Sequence, residues 1–337
     1  MAHSSASDDA AAPSELEFRT LVETRDHTPL DEVFETYWPA YRAWMTRAPA
    51  VDASTCRQRL GMHMPGLLDL YDSLVERFGG EDDVARFLSL WNPPPLVRGC
   101  TQLVFDDVDG PVLIRAYDHH PDLFDGVILR ADWGGTRTLA IADCLWGALD
   151  GMNEHGLAIA LAFGGRHAVG DGFGAQLVCR HVLQTCATVA DARKALARTL
   201  VFMPYTFVVL DANGEFVTAY LAPDRDPTFH TRRASANHQG SIEWERYARF
   251  TRSSDRLARA ESLLTTDPTR TRAAFLKPPI WRTNYAKGSG TLYVAEYAPS
   301  KKRLTLCWPG RTEPFTIDAI EEREFGVRLP SGASTHA

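Results

Sequence analysis

The sequence has no basic excess: its 36 Lys and Arg face 43 Asp and Glu, for a formal net charge of −7. Nucleic acids and anionic membranes are met by strongly basic faces, so neither is an expected partner. Uninterrupted apolar runs approaching the roughly 18 residues of a membrane span are also missing. The stretch Met1 to Leu16, rich in Ala, Ser and Asp, lacks the basic start and apolar centre of a secretory signal. The expectation is therefore a cytoplasmic protein with a disordered tail over residues 1–20. Paired cysteines are lacking too. Cys56, Cys100, Cys144, Cys179, Cys186 and Cys307 form no CxxC motif, which speaks against a zinc knuckle. A chain of 337 residues needs no disulfide staples, so reduced thiols are expected, with no bound metal and no cofactor.

What is present is the composition of a soluble globular protein, 45% hydrophobic and 23% charged, long enough to bury a sizeable core. Its texture changes near residue 95. Upstream, Leu30, Val33, Phe34, Tyr37, Tyr41 and Trp44 recur at helical steps, with Pro39 a possible kink. Leu67 to Leu74 and Val84 to Trp91 suggest further helices, the latter opened by acidic Glu81, Asp82 and Asp83. Asn92-Pro93-Pro94-Pro95 then stops any helix and leaves Leu96 to Cys100 extended.

Downstream, short apolar runs separated by turn pairs read as strands: 102–105, 112–117, 126–129, 138–142 and 157–163. One long helix is predicted from Ala175 to about Leu200, and further helices over 253–264 and 269–276. Two hairpins are predicted, 207–210 with 216–221 and 291–297 with 303–307. Strands, then helices, then strands without βαβ alternation give an α+β fold with antiparallel sheets.

Four places carry residues suited to chemistry. Cys100 follows Arg98-Gly99 and opens a strand, and a glycine before a thiol leaves its carbonyl open to attack; the same residue also suits a small buried hydrophobe. Arg115 and Asp118 lie on the following strand, where a guanidinium would lower a thiol pKa and a carboxylate would hold an ammonium; surface ion pairing is the commoner reason for that spacing. Asn237, in Ala236-Asn237-His238, suits an oxyanion donor or an ordinary turn. Arg256 follows an N-cap-like Ser253-Ser254 and also fits a solvated helix face.

In order and spacing these segments resemble the cysteine N-terminal-nucleophile hydrolases. That group includes the bile-salt and penicillin V amidases and, more closely, the acyl-CoA:6-aminopenicillanic acid acyltransferase family. The resemblance runs from Cys100 to about Pro309. It rests on Arg98-Gly99-Cys100-Thr101, Asp109-Gly110 with Arg115 and Asp118, Gly151-Met152-Asn153-Glu154-His155-Gly156-Leu157, Asn237-His238, Arg256 and Gly290-Thr291-Leu292-Tyr293. It implies a four-layer αββα sandwich of two antiparallel sheets with a helical N-terminal pro-segment. It further implies a self-cut between Gly99 and Cys100 that divides residues 21–99, which stay bound, from a catalytic domain of residues 100–337.

By the same resemblance, Cys100 is the nucleophile and its freed α-amino group the base. Arg115 and Asp118 tune that pair, Asn237 supplies an oxyanion amide and Arg256 completes the network. Asn153 belongs to a structural turn. Relatives usually carry an Asn soon after that turn, where this chain has Ala158 to Phe163. The implied substrate is a small acylated or peptide-like molecule, with a coenzyme A thioester as a possible co-substrate; the arginines between Arg232 and Arg272 suit an anionic ligand such as its phosphates, or more simply a solvated surface. Two other readings stay open: a papain-like enzyme pairing its thiol with His181 or His238 without self-cleavage, and a binding protein that has the fold without the chemistry.

Overall fold

The computed structural model describes residues 15–330, so residues 1–14 of the tail expected over 1–20 lie outside the described residues. From Glu15 the chain departs from that expectation. Glu15–Thr24 is a strand, β1, whose first half alternates exposed Glu15 and Glu17 and half-buried Arg19 with buried Leu16, Phe18 and Thr20. The helical segment follows as α1 (Leu30–Met45), α2 (Ala53–His63), α3 (Leu68–Arg77) and α4 (Asp82–Ser89). Pro39 lies inside α1 without ending it. α2 shows little apolar periodicity; it is fixed at its start by Asp52, whose carboxylate accepts the Thr55 N–H at 2.8 Å.

The β-rich part opens with β2 (Gly99–Asp107), β3 (Gly110–His119), β4 (Val127–Asp132), β5 (Thr138–Asp143), β6 (Gly147–Asn153) and β7 (Ala158–Phe163). The single helix expected over 175–200 is two, α5 (Ala175–Thr185) and α6 (Val189–Leu196), because Thr188 caps a new start by accepting the Asp191 N–H. Then come β8 (Tyr205–Leu210), β9 (Phe216–Ala222), β10 (Arg225–His230), β11 (Ala234–Ser235), α7 (Glu245–Thr251), α8 (Ser253–Ser262) and α9 (Pro268–Phe275). The chain closes with β12 (Gly290–Ala298), β13 (Arg303–Trp308), β14 (Arg311–Thr316) and β15 (Arg323–Arg328).

Two sheets result. The larger has the order β10-β9-β8-β7-β6-β5-β4-β1-β15 and the smaller β11-β2-β3-β12-β13-β14. Neighbours run antiparallel in both except β1, which lies parallel to β4. β2 faces β7 across the sandwich, α5 covers β6 and β7, and α8 and α9 cover β2, giving helix, sheet, sheet and helix in layers. Burial on both faces explains why Ala158-Ile159-Ala160-Leu161-Ala162-Phe163 is apolar throughout rather than alternating. At Gly151 the strand packs tightly against α5 and β5. A Cβ there would meet Leu183 Cδ1 at 2.8 Å and Ala140 Cβ at 2.7 Å.

Asn153 has the structural role expected of it. Its amide donates to Leu183 O and Cys186 O, at 3.0 and 2.7 Å, and accepts the N–H groups of His155 and Leu157, so it ties the β6–β7 turn to the end of α5. Among the described residues no helix is long and apolar enough to cross a membrane. Asn153→Ala strands several of these buried backbone groups and is expected to lower stability by about 3 kcal/mol in urea unfolding. A change under about 0.5 kcal/mol contradicts this role for the turn.

Candidate active site

In the β2–β3 ladder Gly99 stands opposite Asp118, Cys100 opposite Tyr117 and Gln102 opposite Arg115. Side chains opposite one another share a face, so Cys100, Arg115 and Tyr117 point into the space between the sheets. Gly99 and Asp118 point the other way, toward the helices over β2. The peptide bond behind the thiol is thus held at the end of a strand with a polar group on each side.

On the inner face the Cys100 thiol accepts from Arg115 Nη2 at 3.2 Å. Arg115 is fully buried and crosses the sandwich to the carboxylate of Asp150 on β6, an ion pair that Tyr293 and Tyr297 of β12 join through their hydroxyls. On the outer face Asp118, also fully buried, collects cations from the helical layer. Arg256 Nη2 of α8 lies 2.9 Å away, Arg282 Nη1 lies 3.4 Å away, and Thr291 donates at 2.7 Å. Gly99 has no room for a side chain, since a Cβ there would lie 2.8 Å from Asp118 Oδ2.

Asn237 joins the two faces. Its Oδ1 accepts the Cys100 backbone N–H at 2.8 Å and Arg256 Nη1 at 3.2 Å. Its Nδ2 donates to Phe163 O at 3.1 Å and more weakly to Arg98 O at 3.4 Å. Ser253, the first residue of α8, fixes this loop by accepting the Asn237 N–H at 2.9 Å. Arg98 is itself held: its carbonyl accepts from Tyr247 and its guanidinium donates to buried Asp143 at 2.8 Å.

All five expected side chains, with Gly99, therefore belong to one buried network; Cys100 is fully buried, as its reading as a small hydrophobe also expects, whereas the solvated readings of the charged residues fail. Arg256 faces no solvent, Arg115 and Asp118 are not a surface pair, and the Asn237 side chain is fully engaged. Two details differ from expectation. Burial pushes the Cys100 thiol above its ordinary value, outweighing the opposing pull of Arg115. The Asn237 amide N–H groups are also committed to two backbone carbonyls, so here it is the amide oxygen that serves Cys100.

The residues that sequence reasoning left without a role are Asp150, Tyr297, Tyr247, Arg282, Asp143 and Tyr293. A signal existed for the first: Asp150 is a lone acid in the buried strand Gly147–Asn153, as Arg115 is a lone base in Gly110–His119, and two such charges in facing strands call for each other. The histidines of the papain-like reading are elsewhere occupied. His181 bonds within α5 and is pushed down to about 4 by burial, and His238 bonds Ser253 Oγ. Cys100 lies in a strand rather than at a helix N-terminus. The arginines near Arg232 to Arg272 are largely neutralised: Arg233, Arg249, Arg252, Arg270 and Arg272 each pair with a carboxylate.

Comparison with known proteins identifies a family for the chain. The family model described as acyl-coenzyme A:6-aminopenicillanic acid acyl-transferase matches residues 106–313. No curated protein sequence matches the chain. Among solved structures, penicillin V acylase from Agrobacterium tumefaciens aligns at 17% identity over 68% of this chain and 86% of its own, with a TM-score of 0.45. A Caenorhabditis elegans ortholog of N-acylethanolamine-hydrolyzing acid amidase aligns at 17% identity over 60% and 93%, TM-score 0.44. A variant of conjugated bile acid hydrolase from Clostridium perfringens aligns at 12% identity over 70% and 99%, TM-score 0.48.

Replacing Asp150 tests the inter-sheet pair. Asp150→Asn leaves Arg115 buried without its counter-charge and is expected to cost about 3 to 5 kcal/mol in chemical denaturation. A stability equal to the parent would mean that Arg115 needs no anion there.

Proposed function

This chain belongs to the acyl-coenzyme A:6-aminopenicillanic acid acyl-transferase family of amide-bond enzymes, and on that premise we propose that it cuts itself between Gly99 and Cys100 and then uses Cys100 to open amides of small acylated molecules. The observation that carries the reading is the double hold on the Cys100 nitrogen and its neighbours: Asn237 Oδ1 accepts the N–H of the very peptide bond to be broken, and Arg256 steadies that oxygen from behind.

In the first step the Cys100 sulfur attacks the Gly99 carbonyl and the C–N bond gives way, leaving Gly99 as a thioester and Cys100 with a free α-amine. Water then releases the Gly99 carboxylate. In each later turnover the amine takes the thiol proton, the thiolate adds to the substrate carbonyl, and the departing amine carries that proton away. Asn237 Oδ1 is placed to hold the new amine, while Asp118 with Arg256 and Arg282 sets the charge around it. Release of Arg98 O would free one Asn237 N–H for a substrate carbonyl, which is how the expected oxyanion role fits a side chain that is fully occupied before the cut.

The acyl acceptor in this reading is water or an amine. The local pairing of the Arg-rich stretch favours these over a coenzyme A thioester as co-substrate. The two fragments stay together because β1, in the N-terminal one, is laddered between β4 and β15 of the other.

A denaturing gel of purified protein is expected to show two bands, with the larger chain beginning at Cys100, and Cys100→Ala is expected to leave one band and abolish amide turnover. Unchanged bands and activity in that variant would refute the proposal. Gly99→Ala places a methyl against the Asp118 carboxylate and is expected to slow the cut at least about tenfold, an effect of roughly 1.4 kcal/mol on the barrier. Cutting at the parental rate in a pulse-chase gel would show that the close Gly99–Asp118 approach is immaterial.

A further inference from the structure

The first acyl group this enzyme would carry is its own Arg98-Gly99, and the structure shows where that group sits. The Arg98 guanidinium is buried and donates through Nη2 to Asp143 Oδ2 at 2.8 Å, and Gln176 Nε2 donates to the same oxygen at 2.7 Å. Cys144 Sγ lies 3.6 Å from it. The Tyr117 ring, opposite Cys100 in the ladder, lies 5.9 Å from the Arg98 guanidinium carbon, and its buried hydroxyl has no partner among the described residues. Arg98 also lines a cavity of about 320 Å³ shared with Tyr41, Trp44, Leu96, Asp125 and Asp143. Asp125 there is raised to about 7 by burial and by the nearby Asp143.

We infer that this place is the acyl subsite of the mature enzyme and that it selects substrates whose acyl part carries a guanidinium or ammonium group at the distance Arg98 stands from the Gly99 carbonyl. The inference rests on Cys100 being the nucleophile. The thioester formed during self-cleavage is chemically an acyl-enzyme with Arg-Gly as its acyl group, so the subsite that holds Arg98 in that intermediate is open to the acyl part of any later substrate. Once Arg98 can withdraw, Asp143 keeps only neutral donors, and a buried carboxylate left without a cation favours a ligand that brings one. The unpartnered Tyr117 hydroxyl and the aromatic wall of Tyr41 and Trp44 suit a cation on a peptide-like stem. The chemistry remains simple amide opening: the thiolate adds to the acyl carbonyl, the C–N bond breaks, the amine leaves with the thiol proton, and water resolves the thioester.

The test compares N-acetyl-arginyl-glycine p-nitroanilide with its citrulline counterpart, equal in shape and uncharged, on the processed enzyme. The arginine compound is expected to show at least a tenfold higher kcat/KM, and Asp143→Asn is expected to bring the two within a factor of two. Equal rates on the parent enzyme overturn the inference, and that comparison stands even where the variant does not fold. So does the rejection of both compounds by an enzyme that turns over phenylacetyl p-nitroanilide in a Cys100-dependent way, although the assignment of Cys100 then survives. A chain that is never cut at Gly99 and turns over none of the three compounds overturns both.

Discussion

A single amide oxygen, Asn237 Oδ1, accepts the backbone N–H of Cys100 and a guanidinium N–H of Arg256, and the arrangement of the site follows from that junction. It ties the start of β2 to the start of α8, and so one sheet to its covering helices. Asp118 secures the same junction from below through Arg256 and Arg282, while Arg115 and Asp150 secure the thiol from above by spanning the two sheets. Each charge is buried; Arg115 is matched by Asp150, while Arg256 and Arg282 share the carboxylate of Asp118. Buried charges contribute little net stability but are costly to leave unmatched, which makes such a network a means of specifying geometry rather than of adding stability.

That balance bears on the timing of the chemistry. In the continuous chain the thiol is buried and shifted toward its neutral form, and the Arg98-Gly99 segment is clamped through its carbonyl and guanidinium. The proposed nucleophile is thus closed in by the bond it is to break. In the proposed mechanism, cutting would remove the cover and supply the amine at the same place, so that one event would open the site and complete it.

Much of this was legible in the sequence, and the parts that were not share a cause. Arg98-Gly99-Cys100 after three prolines, Arg115 and Asp118 one strand later, Asn237 and Arg256 all mark positions where local pattern and chemistry agree. Helices with strong apolar periodicity, such as α1 and α4, were readable for the same reason. α2 was not, because its stability comes from an Asp52 cap and its neighbours rather than from a stripe. The long helix over 175–200 concealed a break set by the Thr188 hydroxyl, and β1 was hidden by the tail composition that precedes it although its own residues alternate. Asp150, Arg282 and Tyr247 escaped notice because their roles exist only across the sandwich or between layers, through partners far away in sequence.

The central claim is that sulfur and a free amine meet in one residue, and the most direct measurement exploits that pairing. A cyanobenzothiazole probe forms a stable ring only with a 1,2-aminothiol, which a chain has only at an N-terminal cysteine. Denatured protein followed by mass spectrometry is predicted to take up one equivalent, carried by the fragment beginning at Cys100 and by no other cysteine. An active protein that takes up none would contradict the claim.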